Sequence, residues 1–381
     1  MLKKVSVAIL TRKTNFLKTI NQFSTNQPHV LTKEIGDKAL IILNRPKNLN
    51  AMSDKSLEEL IISLRNLENK KSLVILKSAC EKAFSVGGDL IKLAAAGEKN
   101  DTKYLEDVVM FLNVNIYLIY KYKIPIVALM DGYTMGGGMG ICAFAPFRIA
   151  TERTIFAMPE VKLGFHPNAA ATHFFNRTKN KLGYYLALTG SNLRGSDVLK
   201  AGFATHYCHS KNLKRLEESI LNCSDTDHIK SIIDGICEKT VPELSLNPVF
   251  NNIENCFSGP TVEKIISRLK DDGSSLARET LNTLNKYSPT SLKVILKQLQ
   301  IGRNMNLADI LIMESNITVN FYSFPDVIEG TRIVLKDKSD TPIWKPPKLE
   351  DVTEEIINSH FKPVGEAKQK RLLAELTNWK E

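Results

Sequence analysis

The sequence predicts an α/β fold built on parallel strands and continued by a helical C-terminal region. Short apolar runs alternate with amphipathic helical patterns through the first half, an order that requires parallel pairing with crossover helices. From about Asn212 onward the apolar positions repeat at helical spacing and β-branched runs are few. Two glycine-rich loops directly follow apolar runs, as expected where strands end in ligand-facing turns.

Residues 39–43 form a continuous apolar run that stops at Asn44-Arg45-Pro46, which reads as a buried strand entering a loop. Ser53 or Asp54 then caps a helix whose apolar positions Leu57, Leu60, Ile61, Leu64 and Leu67 lie on one face. Residues 73–76 read as a second buried strand, 104–122 as a long helix and 126–130 as a third strand. Farther on, 262–269 and 276–284 carry helical periodicity. A boundary near residue 210 separates a core at 28–210 from a helical region at 211–381. The sequence contains no internal repeat, low-complexity tract or long Gly/Ser linker, so the helical region is expected to pack on the core.

The 381 residues are 43% hydrophobic and 24% charged, which excludes disordered and collagen-like chains. The longest apolar stretch, 124–150, is interrupted by Asp131, Pro146 and Arg148, and no membrane span is expected. Six scattered cysteines, with no CxxC pair, argue against a zinc site and a disulfide framework. The net charge of +10 is uneven: the first 33 residues hold no acid, and 1–27 carry Lys3, Lys4, Arg12, Lys13 and Lys18. That is the composition of a mitochondrial transit peptide, with a secretory signal as the weaker alternative because no small-x-small cleavage pattern follows. Removing those five charges leaves +5, which suits a phosphate-bearing small molecule and is weak evidence for nucleic acid.

Four segments could carry chemistry. Phe84-Ser85-Val86-Gly87-Gly88-Asp89 follows the second strand; its glycines let the backbone approach a ligand, and Asp89 could cap a helix, although a plain turn reads equally well. Met135-Gly136-Gly137-Gly138-Met139-Gly140 opens a helix and exposes N–H groups suited to an oxyanion or phosphate. It matches neither dinucleotide nor Walker loops, and close helix–strand packing would use the same glycines. Glu160 ends Phe156-Ala157-Met158-Pro159-Glu160; an isolated Glu is more often surface decoration than catalyst. In Gly164-Phe165-His166-Pro167-Asn168, followed by three alanines, Pro167 sits at an expected helix start and His166 reads as a cap or core residue before a base.

Taken together, these segments resemble the crotonase (enoyl-CoA hydratase/isomerase) superfamily over about residues 30–361. The resemblance also takes in Arg45-Pro46-Lys47-Asn48-Leu49-Asn50-Ala51-Met52 and Leu182-Gly183-Tyr184-Tyr185-Leu186-Ala187-Leu188-Thr189-Gly190. Beyond residue 210 the superfamily's acyl-CoA hydrolase branch is matched by Asp271-Asp272-Gly273-Ser274-Ser275, Ser288-Pro289-Thr290-Ser291-Leu292-Lys293, Glu329-Gly330-Thr331-Arg332 and Trp344-Lys345-Pro346.

The resemblance implies a crotonase-type core of repeated strand-helix turns with a helical C-terminal region. It implies that the backbone N–H groups of Gly88 and Gly137 hold a CoA thioester carbonyl. Gly87, Gly136 and Gly138 shape the two loops, and Lys47 with the Asn48 backbone lies near the CoA nucleotide. The catalytic Glu of the hydratases, two residues past their glycine triplet, is Gly140 here, so hydration by a glutamate pair is not expected. Glu160 falls on the acid the hydrolases use, as general base or as nucleophile, and the sequence leaves both open. Their next acid is replaced by Asn168, which can hydrogen-bond a substrate hydroxyl but cannot take a proton. A third acid would align near residues 109–112, where the nearest is Asp107. In a non-catalytic reading, the three alanines after Asn168, in place of glycines, would add methyl groups that narrow the pocket.

The expected function is therefore a mitochondrial (matrix) thioester hydrolase acting on short 3-hydroxyacyl-CoA. By resemblance its reaction converts 3-hydroxyisobutyryl-CoA and water to 3-hydroxyisobutyrate and CoA in valine catabolism. The alternative is a weakened or inactive hydrolase-like chain serving as a binding or assembly component, for example of the mitochondrial ribosome. Isomerisation, for which one glutamate can suffice, stands third. The partner is a small-molecule acyl-CoA, with no membrane and no nucleic acid in the leading reading, and a homo-oligomer stays open. No cofactor is expected beyond the CoA carried by the substrate, and no metal.

Overall fold

The computed structural model describes residues 27–335 and 340–377. The transit-peptide expectation falls on residues almost wholly outside that range.

Among the described residues, ten strands form two sheets. The larger contains β1 (Val30–Ile35), β2 (Lys38–Leu43), β3 (Leu73–Ser78), β5 (Ile126–Met130), β7 (Phe147–Ala150) and β10 (His206–Tyr207), in the order β1-β2-β3-β5-β7-β10. β1 and β2 are antiparallel with Val30 opposite Leu43, and every later pair is parallel, with Lys38 opposite Leu73 and Val74 opposite Ile126. The smaller sheet orders the short strands β4 (Ala83–Ser85), β6 (Tyr133–Met135), β8 (Ile155–Ala157) and β9 (Asn192–Arg194). The chain thus visits the large sheet and then the small sheet in each turn, a spiral whose successive turns stack β3-β4, β5-β6 and β7-β8.

All six residues of β2 are buried, because the sheet is covered on both faces. Ala39, Ile41 and Leu43 point into the main core with Leu57, Leu60 and Leu64 of α1 (Asp54–Glu68). Leu40 and Ile42 point the other way, against Leu216, Ile220 and Ile233 of later helices. Period-two alternation therefore serves two apolar cores, and the strand reads as an uninterrupted apolar run. Ser53 caps α1 through a reciprocal bond with Ser56, and the expected apolar face is buried. The helix expected at 104–122 is Thr102–Lys121, here α3, after α2 (Leu90–Glu98).

After β10 every described element is helical, and helices from this region share the main core with β2 and α1. Those that reach the site are Leu307–Phe321 and Pro325–Leu335, while Pro289–Gly302 packs behind the segment that carries His166 and Pro167. Two local expectations are corrected. Asp89 makes no capping bond; its carboxylate is held at 3.0 Å by Arg45. Pro167 does not start a helix, which begins four residues later at Ala171 because Ala169 and Ala170 take left-handed backbone conformations.

Candidate active site

The two glycine loops meet at the ends of β4 and β6. Met52 N–H donates to the Gly87 carbonyl at 2.7 Å and Asp89 N–H to the Met52 carbonyl at 3.0 Å, which ties the first loop to the segment before α1. Gly87 has φ +90, and a Cβ there would lie 3.0 Å from the Met135 carbonyl oxygen and 3.1 Å from Gly137 N. Only glycine allows this backbone contact. A Cβ on Gly138 would come within 2.6 Å of the Ser85 carbonyl oxygen, so this glycine serves packing. The N–H groups of Gly88 and Gly137 have no backbone acceptor among the described residues.

Gly88 and Gly137 line one small cavity of about 70 Å³ together with Glu160 and Asn168. The rest of its wall is largely apolar: Met52, Leu57, Leu93, Val108, Val109 and Leu112 from the core, and Leu163 and Phe165 from the turn after Glu160. Leu112 occupies the stretch where a third acid was expected and packs against Gly137, while Asp107 pairs with Lys103 on the outer surface. Lys47 stands exposed on the turn Pro46–Asn48 and does not line the cavity.

Glu160 follows Pro159 and opens a short turn, Glu160–Leu163, after β8. Gly136, at φ +50, brings its Cα against this carboxylate; a Cβ there would lie 2.8 Å from Glu160 Oε1. The carboxylate is thereby set one residue from the Gly137 N–H. Its second oxygen, Oε2, is buried and has no hydrogen-bond partner among the described residues. Burial, reinforced by the negative charge of Glu314, pushes the Glu160 carboxyl up to about 8. The residue keeps slight exposure through the cavity, so water admitted there moderates the effect.

Asn168 also lines the cavity, and its Nδ2 donates to Thr318 Oγ1 at 3.2 Å. His166 is fully buried, sits between Gln298 and Thr318, and does not line the cavity. Burial lowers its pKa to about 3, so the ring is neutral at ordinary pH and has no route to a reacting water. The expected narrowing by the alanines is not found. Ala169 and Ala170 pack behind the wall against Ile116, Leu307 and Leu311, and Ala171 joins the main core. Gly140 faces the same alanines: a Cβ there would lie 2.7 Å from the Ala169 Cβ. That position therefore has neither an acid nor room for one.

Sequence reasoning missed the contribution of the C-terminal helices. Thr318 and Tyr322, and Val327 and Thr331 on the next helix, close the cavity. Gly330 lets that next helix lie directly on the Glu160 turn, since a Cβ would meet the Leu163 carbonyl carbon at 2.3 Å. Glu314 was also missed. It is buried, accepts from the N–H groups of Ala170 at 2.7 Å and Thr172 at 2.8 Å, and fixes the loop that carries Asn168. Burial raises its pKa to about 7 against the opposing effect of those bonds. A lone acid inside an apolar helix was the available signal, because such a group must find buried donors.

Residues 38–361 match the family described as enoyl-CoA hydratase/isomerase. The 3-hydroxyisobutyryl-CoA hydrolase, mitochondrial, of Mus musculus is 41% identical over 351 residues, covering 90% of each chain. The protein of the same name from Homo sapiens is 39% identical over 348 residues, covering 88% of this chain and 89% of its own. Among solved structures, a carnitinyl-CoA dehydratase from Mycobacterium thermoresistibile superposes with TM-score 0.83 at 28% identity, covering 89% of this chain and 97% of its own. An enoyl-CoA hydratase from Rhodobacter sphaeroides 2.4.1 gives 0.81 at 29% identity, with 90% and 98% covered.

Proposed function

The chain belongs to the enoyl-CoA hydratase/isomerase family, within its 3-hydroxyisobutyryl-CoA hydrolases, and from that premise we propose that it hydrolyses 3-hydroxyisobutyryl-CoA with Glu160 as the acting carboxylate. The observation that carries this reading is the placement of Glu160 in a small apolar cavity beside two backbone N–H groups that have no backbone acceptor among the described residues.

The thioester carbonyl oxygen accepts from Gly88 and Gly137 N–H, which stabilise the charge that develops on attack. Ionised Glu160 takes a proton from water as the water oxygen bonds to the carbonyl carbon. The tetrahedral intermediate then collapses, the C–S bond breaks, and the proton passes to the departing CoA sulfur. Asn168 binds the 3-hydroxyl, and the short apolar wall holds the branched acyl carbon chain. Exclusion of a side chain at Gly140 favours hydrolysis over hydration by a glutamate pair. Lys47, although outside the acyl cavity, is exposed and available to the CoA phosphates. The chain works in the mitochondrial matrix and draws on no cofactor beyond the CoA of its substrate.

The test is incubation of the purified chain with 3-hydroxyisobutyryl-CoA and titration of released thiol. Equimolar CoA and free hydroxy acid are expected, with no hydrated product from an unsaturated short acyl-CoA. Hydration without thiol release would overturn the reading.

A further inference from the structure

Behind the cavity wall, His166, Gln298 and Thr318 form a buried hydrogen-bonded chain that ends on Asn168. The direction of every bond in it follows from one fixed acceptor together with the neutral state of the buried His166 ring. The Pro167 carbonyl oxygen can only accept, so the Gln298 atom 2.7 Å from it is Nε2, which also lies 2.8 Å from Thr172 Oγ1. Gln298 Oε1 therefore faces His166 Nδ1 at 2.8 Å, and Nδ1 must carry the proton. The ring is neutral, which leaves Nε2 as a bare acceptor. Thr318 Oγ1, 2.9 Å away, gives its one proton to that nitrogen. Only lone pairs then remain on Oγ1 for Asn168, whose Nδ2 donates to it at 3.2 Å. The atom Asn168 has left for the cavity is its carbonyl oxygen, which has no hydrogen-bond partner among the described residues.

We propose that Gln298, His166 and Thr318 are positioning residues that lock the Asn168 amide with its oxygen toward the cavity, so that the site selects acyl groups bearing a hydroxyl donor. An amide oxygen accepts from O–H as a carboxylate does, so the recognition contact persists where the charge is gone. The opposite amide orientation would present N–H and favour a 3-oxoacyl group instead. The kinetic consequence rests on the hydrolase reading above; the orientation itself does not.

Two measurements test it. Nitrogen-15 NMR of the His166 ring in the resting protein should show a protonated Nδ1 and an unprotonated Nε2; a protonated Nε2 overturns the assignment. The ring stacks on Phe321, the titratable group whose charge acts on it is His360, and Glu314 lies beyond Gln298. In the kinetic test, Thr318→Val removes the acceptor for Asn168 and Thr318→Ser keeps it. The preference in kcat/KM for 3-hydroxyisobutyryl-CoA over isobutyryl-CoA should fall by about tenfold in the valine variant and stay within about twofold of the unmodified protein in the serine variant. An unchanged preference, or equal loss on both substrates, overturns the proposal. Should the unmodified protein hydrolyse neither ester, the hydrolase reading fails, and calorimetric binding of the same two esters carries the comparison.

Discussion

Glu160→Gln should stabilise the resting protein at alkaline pH while abolishing its activity. The folded carboxyl titrates near 8 against an ordinary 4.5, because burial and the charge of Glu314 oppose ionisation. Below the ordinary value both folded and unfolded chains hold the proton. Between the two values the unfolded chain releases it and the folded chain keeps it, so stability falls as pH rises and the loss is complete above the folded value. At about 1.4 kcal/mol per tenfold change, the displacement amounts to roughly 5 kcal/mol as a ceiling. Water entering the cavity beside Glu160 reduces this, and about 2–3 kcal/mol is expected. Urea unfolding of the two proteins at pH 5 and pH 9 measures it: the unmodified protein should lose about that much more than Glu160→Gln over the interval. Glu314 titrates in both proteins and cancels to first order. Parallel pH dependences would refute the claim that Glu160 is buried and protonated at rest.

The same carboxyl must ionise to act as a base, so kcat/KM should rise with pH and level off above about 8, lying about a hundredfold lower at pH 6. Glu314→Gln removes a charge that raises Glu160, so that rising limb should move to lower pH; the variant should also lose about 1–3 kcal/mol of stability, since an amide cannot accept from both Ala170 and Thr172 N–H as the carboxylate does. Gly136→Ala would place a methyl 2.8 Å from Glu160 Oε1 at φ +50. A drop in kcat of about 10²-fold is expected, with about 1–2 kcal/mol of destabilisation in thermal melts. N-terminal sequencing of the protein isolated from mitochondria should find a new start near residues 23–28, and an intact Met1 would contradict cleavage on import.

The parts of the fold legible in the sequence are those where burial writes a local pattern. Ile126–Met130 is buried throughout and bounded by Pro125 and Gly132, and its structural limits match those read from the sequence. β1 went unread because it is an edge strand whose residues 32–35 are exposed, which dilutes the apolar signal. The three-residue strands of the small sheet are too short for any periodicity to register. The site shows the same division. Gly88, Gly137 and Glu160 stand in compact local motifs, and the fold brings them to one cavity. Thr318 and Gln298 lie 152 and 132 residues from His166, a separation that no local spacing can bridge. Asp89 looked like a helix cap because its competitor Arg45 is 44 residues away.

The central claim is that Glu160 performs thioester hydrolysis in this cavity. Steady-state turnover of 3-hydroxyisobutyryl-CoA by the mature protein and by Glu160→Gln, with calorimetric binding of the CoA ester to both, tests it most directly. The unmodified protein should turn over at about 1 to 10³ per second, and the variant at least ~10²-fold more slowly with binding retained. Equal turnover in the two proteins, or tight binding without turnover in either, would contradict it.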